Sequence, residues 1–226
     1  MNQTAVLYAL TSAALFGLST PAAKVLVGSV DPAVLAGLLY CGAGLGIALL
    51  RRFVSSLRRV PQAPEQALSR TDLPWLAGAI VAGGVVGPVL LMFGLSTTDA
   101  SSASLLLTLE GAATALIAWF IFKENFDRRV ATGMGLLVAG AALLSWSGTP
   151  TLTSLAGPIA IVGACVAWGL DNNLTRKISL ADPLQIVELK GLIAGPINLA
   201  LGLWAGGSIL DIQAVLFSGV IGFLGY

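Results

Sequence analysis

The chain has 226 residues, of which 56% are hydrophobic and only 10% charged, and its formal net charge is +1. A water-soluble domain carries about 25% charged residues, so this composition, with a mean hydropathy of +0.89, excludes a soluble globular protein and requires a polytopic helical membrane protein. Histidine is absent, which removes the commonest metal ligand and proton relay, and no basic cluster suits nucleic acid.

The first apolar helix is predicted over 4–27, with Pro21 and Lys24 in its last third. Met1 to Thr4 contains no Lys or Arg, so the run lacks the cationic start of a cleaved signal peptide and is expected to stay in the mature protein. Asp31-Pro32 makes a turn. A second helix over 32–50 carries Gly42 and Gly46, a GxxxG packing face. Residues 51–72 form the long polar stretch, with Arg51, Arg52, Arg58, Arg59 and Arg70 and two prolines, and are read as a loop. A third helix is expected over 73–95, with Gly83, Gly84, Gly87 and Pro88 near its centre, followed by a tight turn over 96–100.

The fourth helix, 101–122, would be about 33 Å long at ~1.5 Å per residue, enough to cross a bilayer core. Glu110 falls near its middle, where an ionised carboxylate costs at least ~2.5 kcal/mol. One reading is a carboxylate that binds a proton or a substrate amine in a central cavity. The other is a neutral glutamic acid that ties helices together by hydrogen bonds. Gly111 beside it leaves room for a neighbouring backbone or a ligand.

A charged turn over 123–129 precedes a fifth, glycine-rich helix over 130–146 and a neutral loop over 147–154. A sixth helix is predicted over 155–174. Trp168 in it is placed to face a cavity, and Asp171-Asn172-Asn173 either line a vestibule or cap the helix. The seventh helix, 184–206, contains Glu188, Lys190 and Pro196, and an eighth apolar run begins at 211. Glu188 and Lys190 are two apart and point to different faces. Lys190 lies about as deep as Glu110, and a Glu110–Lys190 pair would offset the burial cost of both, whereas Glu188 is near enough to the helix end to snorkel. Pro21, Pro88 and Pro196 lie within spans, where each frees a carbonyl and permits a bend. They read as hinges or as static kinks. Cys41 and Cys165 read as small buried apolar residues, and Trp75, Trp119, Trp146 and Trp204 as interfacial anchors.

The loops after the second, fourth and sixth helices hold Lys and Arg, and those after the third, fifth and seventh hold none. By the positive-inside rule the amino terminus is cytoplasmic. Phe16-Gly17-Leu18 matches Trp168-Gly169-Leu170, Lys24 matches Arg176, and Asp31-Pro32 matches Asp182-Pro183. Gly84-Val85-Val86-Gly87 likewise resembles Gly219-Val220-Ile221-Gly222. The first three helices therefore correspond to the sixth, the seventh and the last run. A five-helix offset is odd, so the second copy enters the membrane the other way round. The expected fold is an all-α polytopic bundle of inverted five-helix repeats, with seven full spans and a partial eighth. The first repeat is 1–148 and the incomplete second is 155–226.

The Ser-rich start of the fourth helix, the run Leu107 to Arg129, Gly133, Gly135 and Gly140, and the aromatic-Gly pairs resemble the EamA-like drug/metabolite transporter superfamily over nearly the whole chain. The family typically places a Pro near Glu110-Gly111, where this chain has Gly111-Ala112. The resemblance implies ten helices in two five-helix repeats that move small metabolites, so the sequence is either a fragment or a shortened member. No nucleotide-binding loop, catalytic triad or metal cluster stands in the sequence, and no enzyme activity or cofactor is expected. The function read from this is gradient-driven, proton-coupled transport of a small metabolite, amino-acid-like or drug-like, by alternating access across the cytoplasmic membrane. The substrate and coupling residues are Glu110, Lys190, Glu188, Trp168 and Asp171. A non-transporting scaffold or sensor and a lipid-linked substrate flippase are the alternatives. The expected partners are a small solute, membrane lipid and, as an option, a second copy in a homodimer.

Overall fold

A computed structural model of the protein describes residues 3–57, 67–125, 127–144, 152–208 and 211–225. Its elements in chain order are α1 (Gln3–Leu26), α2 (Pro32–Leu57), α3 (Leu73–Ala79), a π-helical segment (Ile80–Val86), α4 (Gly87–Thr97), α5 (Ala100–Leu107), α6 (Leu109–Phe120), α7 (Arg128–Leu144), α8 (Leu152–Arg176), α9 (Pro183–Trp204) and α10 (Ile212–Gly225). Every regular element among the described residues is helical. Six stretches among them are long and apolar enough to cross a membrane: Val6–Leu26, Pro32–Phe53, Leu73–Thr97, Ala100–Phe120, Leu155–Arg176 and Pro183–Trp204. The protein is an all-α, multi-pass membrane protein.

Seven full spans are expected from the sequence. The fifth, expected over 130–146, is α7, whose 17 residues end at Leu144. Trp146, like Arg58 and Arg59, lies outside the described residues.

Aspartates set several of the helix starts. Asp31 Oδ1 accepts from the Ala33 N–H at 3.0 Å at the head of α2, and Asp99 Oδ1 accepts from the Ser102 N–H at 2.9 Å at the head of α5. Asp127 and Asp211 do the same for α7 and α10, accepting from Arg129 and Gln213 at 3.0 and 2.9 Å. Each carboxylate satisfies an N–H that the helix cannot. The stop after α6 is equally local. Lys123 adopts φ 58°, and the Glu124 N–H turns back to the Ala118 carbonyl at 3.1 Å, which closes the helix through a left-handed residue.

The chain divides into two compact units, Met1–Pro64 with Leu184–Tyr226, and Glu65–Pro183. In the first, α2 is the centre. A Cβ on Gly37 would lie 2.5 Å from the Leu199 N, and one on Gly44 would lie 2.5 Å from the Leu192 N, so α2 and α9 meet backbone to backbone. Gly42 and Gly46 face the other neighbour, α10, at Gly219 and the Phe223 ring. The GxxxG pair read in the sequence is thus the seat of α10. Close approach of this kind supplies dispersion contacts that burial alone cannot give in lipid. α1 packs against α10.

In the second unit α8 is the centre. It packs against α3, the π-helical segment and α4 on one side and against α5 and α6 on the other, while α7 packs on α5 and α6. Gly94 and Gly157 let α4 and α8 touch, and Gly169 lets α8 meet α6 at the Thr114 N–H. The π-helical turn has a traceable cause. In that wider register the Gly87 N–H donates to the Ala82 carbonyl, and the next donor would serve Gly83. That next residue is Pro88, which has no N–H. The indole N–H of Trp168 donates to the buried Gly83 carbonyl at 2.9 Å instead.

Candidate functional site

The polar residues of the second unit gather where α6 crosses α8. The α-helical hydrogen-bond pattern shifts at Thr108, between α5 and α6, so Glu110 stands in the first turn of α6, within the span Ala100–Phe120. Glu110 Oε1 accepts from the Asn172 Nδ2 at 3.0 Å. The same amide nitrogen donates to the Thr114 Oγ1 at 3.2 Å, and that hydroxyl donates to the Glu110 carbonyl at 2.9 Å. The next residue, Asn173, donates from its Nδ2 to the Thr114 carbonyl at 2.9 Å and to the Gly169 carbonyl at 2.8 Å.

The cluster has a buried and an open side. Asp171, Asn173 and Trp168 are buried. Asp171 accepts from the Thr175 hydroxyl at 2.9 Å, and Gly83 stands against its carboxylate with no room for a side chain. Glu110 is half-buried, while Asn172 and Gly111 are exposed. A Cβ at Gly111 would meet nothing within 4 Å. The arrangement therefore holds a carboxylate by an amide and backs it with a hydroxyl, with one side open. It can hold a proton or a small cation. The ends of the two helices are also joined: Arg176 pairs with Glu124, and the Lys177 Nζ lies 5.2 Å from the centre of the Phe122 ring.

Glu110, Trp168 and Asp171 fall together in this unit, as do Asn172 and Asn173, whose amides bond Glu110, Thr114 and Gly169. Trp168 turns its N–H into the protein, to Gly83. Glu188 and Lys190 lie on α9 in the first unit. There Glu188 Oε2 accepts from the Arg51 Nη1 at 2.7 Å, a partner that lies 137 residues away and carries no local signal. Lys190 is half-buried and belongs to a different unit from Glu110. Pro21 and Pro196 stand inside α1 and α9, and Pro88 is fully buried at the start of α4. Thr114 was not legible as a site residue, although its i+4 spacing from Glu110 puts both on one face. Pro158, inside α8, is a further proline within a span. Among the described residues no three His, Cys, Asp or Glu side chains converge to hold a metal ion.

A carboxylate inside a span, backed by amides on a neighbouring helix in a glycine-packed bundle, defines a membrane protein with a polar site among its helices. The sequence profile of the EamA-like transporter family matches residues 3–146, and the chain belongs to that family. It is 26% identical over 208 residues to an "Uncharacterized transporter" of Methanothermobacter thermautotrophicus, a match covering 87% of this chain and 60% of that protein. A probable 4-amino-4-deoxy-L-arabinose-phosphoundecaprenol flippase subunit ArnE of Pseudomonas paraeruginosa is 36% identical over 101 residues, 45% of this chain and 85% of that one. The multidrug resistance protein EbrB of Bacillus atrophaeus is 30% identical over 116 residues, covering 50% and 90%. A solved crystal structure at 19% identity overlays all of this chain and 76% of its own with a TM-score of 0.67, which shows a shared fold.

Proposed function

We propose that the chain serves a secondary transporter that moves a small, amine-bearing solute across the cytoplasmic membrane by alternating access, with Glu110 as the coupling carboxylate. The observation that carries this reading is the Glu110–Asn172–Thr114 cluster, a carboxylate held within a span yet open beside Gly111. A proton and an ammonium group compete for the same oxygens, so uptake of one releases the other. Pro21, Pro88 and Pro196 are the bend points in this scheme. The amino terminus is cytoplasmic, as the basic loops require.

The inverted repeats, 1–148 and 155–226, belong to the same proposal. Packing supports them: α1 sits on α10 in one unit, and α8 sits on α4 in the other. That is the exchange expected when the first helix of each repeat packs on the third of the other.

In proteoliposomes, flux driven by a pH gradient is expected to fall at least roughly tenfold in Glu110→Gln, the effect of losing about 1.4 kcal/mol or more of coupling. Equal flux in that variant would remove Glu110 from the mechanism. A second reading, a lipid-linked substrate flippase, is favoured by the likeness to ArnE. It predicts that an aminosugar attached to a polyprenyl phosphate, and not a free amine, crosses the bilayer.

A further inference from the structure

The first unit holds a group of charges that transport through Glu110 does not use. Arg51 and Arg52 close the last turn of the span Pro32–Phe53. Gln185 and Glu188 stand in the first two turns of α9. With Ala48 and Leu189 they line an open depression of about 420 Å³.

Two features give the depression a chemical character. It carries both signs of charge, two guanidiniums and one carboxylate. Arg51 Nη1 donates to Glu188 Oε2 at 2.7 Å, with 32% and 26% of the two side chains exposed. A pair so exposed adds little stability, and a ligand that supplies both a better anion and a cation can separate it at small cost. The depression also opens at the head of an apolar stripe. Leu45, Leu49 and Phe53 follow one another at four-residue spacing on α2, each more than half exposed. Arg52 lies three residues beyond Leu49, on the same side of the helix.

We propose that this depression binds the headgroup of an aminophospholipid, a phosphate diester that carries a primary amine. The phosphoryl oxygens take the forks of Arg51 and Arg52, the geometry for which guanidinium is suited. The ammonium takes Glu188 in place of Arg51, so one ion pair becomes two. The acyl chains lie along Leu45, Leu49 and Phe53, which favours a membrane lipid over a soluble phosphoester. Glu188 is the selecting residue. It repels a headgroup that brings only negative charge, and a quaternary amine offers it no N–H.

The test measures lipid retention by native mass spectrometry on the 226-residue chain, released from bilayers holding phosphatidylethanolamine, phosphatidylglycerol and phosphatidylcholine in equal parts. The wild type is expected to retain phosphatidylethanolamine over the other two by roughly tenfold, the weight of one charge-assisted contact of about 1.4 kcal/mol. In Glu188→Gln the preference passes to phosphatidylglycerol. In Arg51→Gln/Arg52→Gln retention of all three falls to the level of bulk lipid, and Arg51→Lys/Arg52→Lys, which keeps the charge, restores part of it. An unchanged preference in Glu188→Gln overturns the proposal, as does unchanged retention in the double glutamine variant. In a parallel arm, millimolar ethanolamine phosphate is added. Displacement of the lipid at a concentration where the soluble ester saturates the site assigns the depression to a free phosphoester and overturns the lipid as occupant; continued retention supports it.

Discussion

Asp99 shows how much one residue settles in a chain with so few charges. It stands between two spans, and its carboxylate accepts from the Ser101 hydroxyl and from the Ser102 N–H at 2.9 Å. Those donors hold its pKa well below the usual carboxylate range. A depressed folded value means that the stability the cap adds is complete above the unfolded value of about 3.9 and is lost only as pH falls from there toward the folded value. From about pH 8 to pH 5 the cap therefore does not titrate. Unfolding midpoints of the wild type and Asp99→Asn are expected to run parallel over that range and to converge or cross only in stronger acid. A gap that changes between those limits would show that the carboxylate is not held this way. Asp99→Ala, which removes the acceptor, is expected to cost about 1 kcal/mol at every pH in the range. A pH response of flux near neutrality would accordingly arise elsewhere, and the proposed function assigns it to Glu110.

Among the elements, the π-helical segment shows what the sequence discloses and what it withholds. Gly83, Gly84, Gly87 and Pro88 are visible as a weak point in a span, because glycine and proline both disfavour a regular helix. The donor that repairs that weak point is not visible, since Trp168 lies 85 residues away and nothing local links an indole to a carbonyl on another helix. Trp168→Phe keeps the ring but removes the N–H. Loss of a buried hydrogen bond to a carbonyl costs up to about 1–3 kcal/mol, so the variant is expected to be less stable in detergent by that amount. Equal stability would mean that the Gly83 carbonyl is satisfied without the indole. The same distinction runs through the candidate site. Glu110 is legible because a carboxylate interrupts an apolar run. Its bond to Asn172, like the Arg51–Glu188 pair, joins helices whose adjacency depends on packing. Helix boundaries set by Asp31, Asp99 and Asp127 follow directly from neighbours two or three residues on, whereas the shift at Thr108 carries no Gly or Pro to announce it. Its only local mark is the Thr108 hydroxyl, which donates to the Leu105 carbonyl at 2.6 Å.

For the whole molecule the open quantity is the parity of its crossings. Six stretches among the described residues are long and apolar enough to span, and α7 would be a seventh. Its 17 residues reach about 25 Å at ~1.5 Å per residue, against a core of about 30 Å. Inverted repeats require α7 to cross, because only then does α8 run from outside to inside while α1 runs from inside to outside. The turns after α1 and α8, at Ser29 and Ser179, are both exposed and report this parity. In a chain with Cys41→Ala and Cys165→Ala, a membrane-impermeant maleimide is expected to label Ser29→Cys in intact cells and Ser179→Cys only after the membrane is opened. If α7 lay along the surface, α8 would run the same way as α1, and both positions would react from outside. Labelling on one side would therefore dissolve the inverted repeat. It would leave Glu110 and its amide partners in a helical bundle with no symmetry to place a transport route, and a solute path would then have to be sought within the unit that holds Glu110.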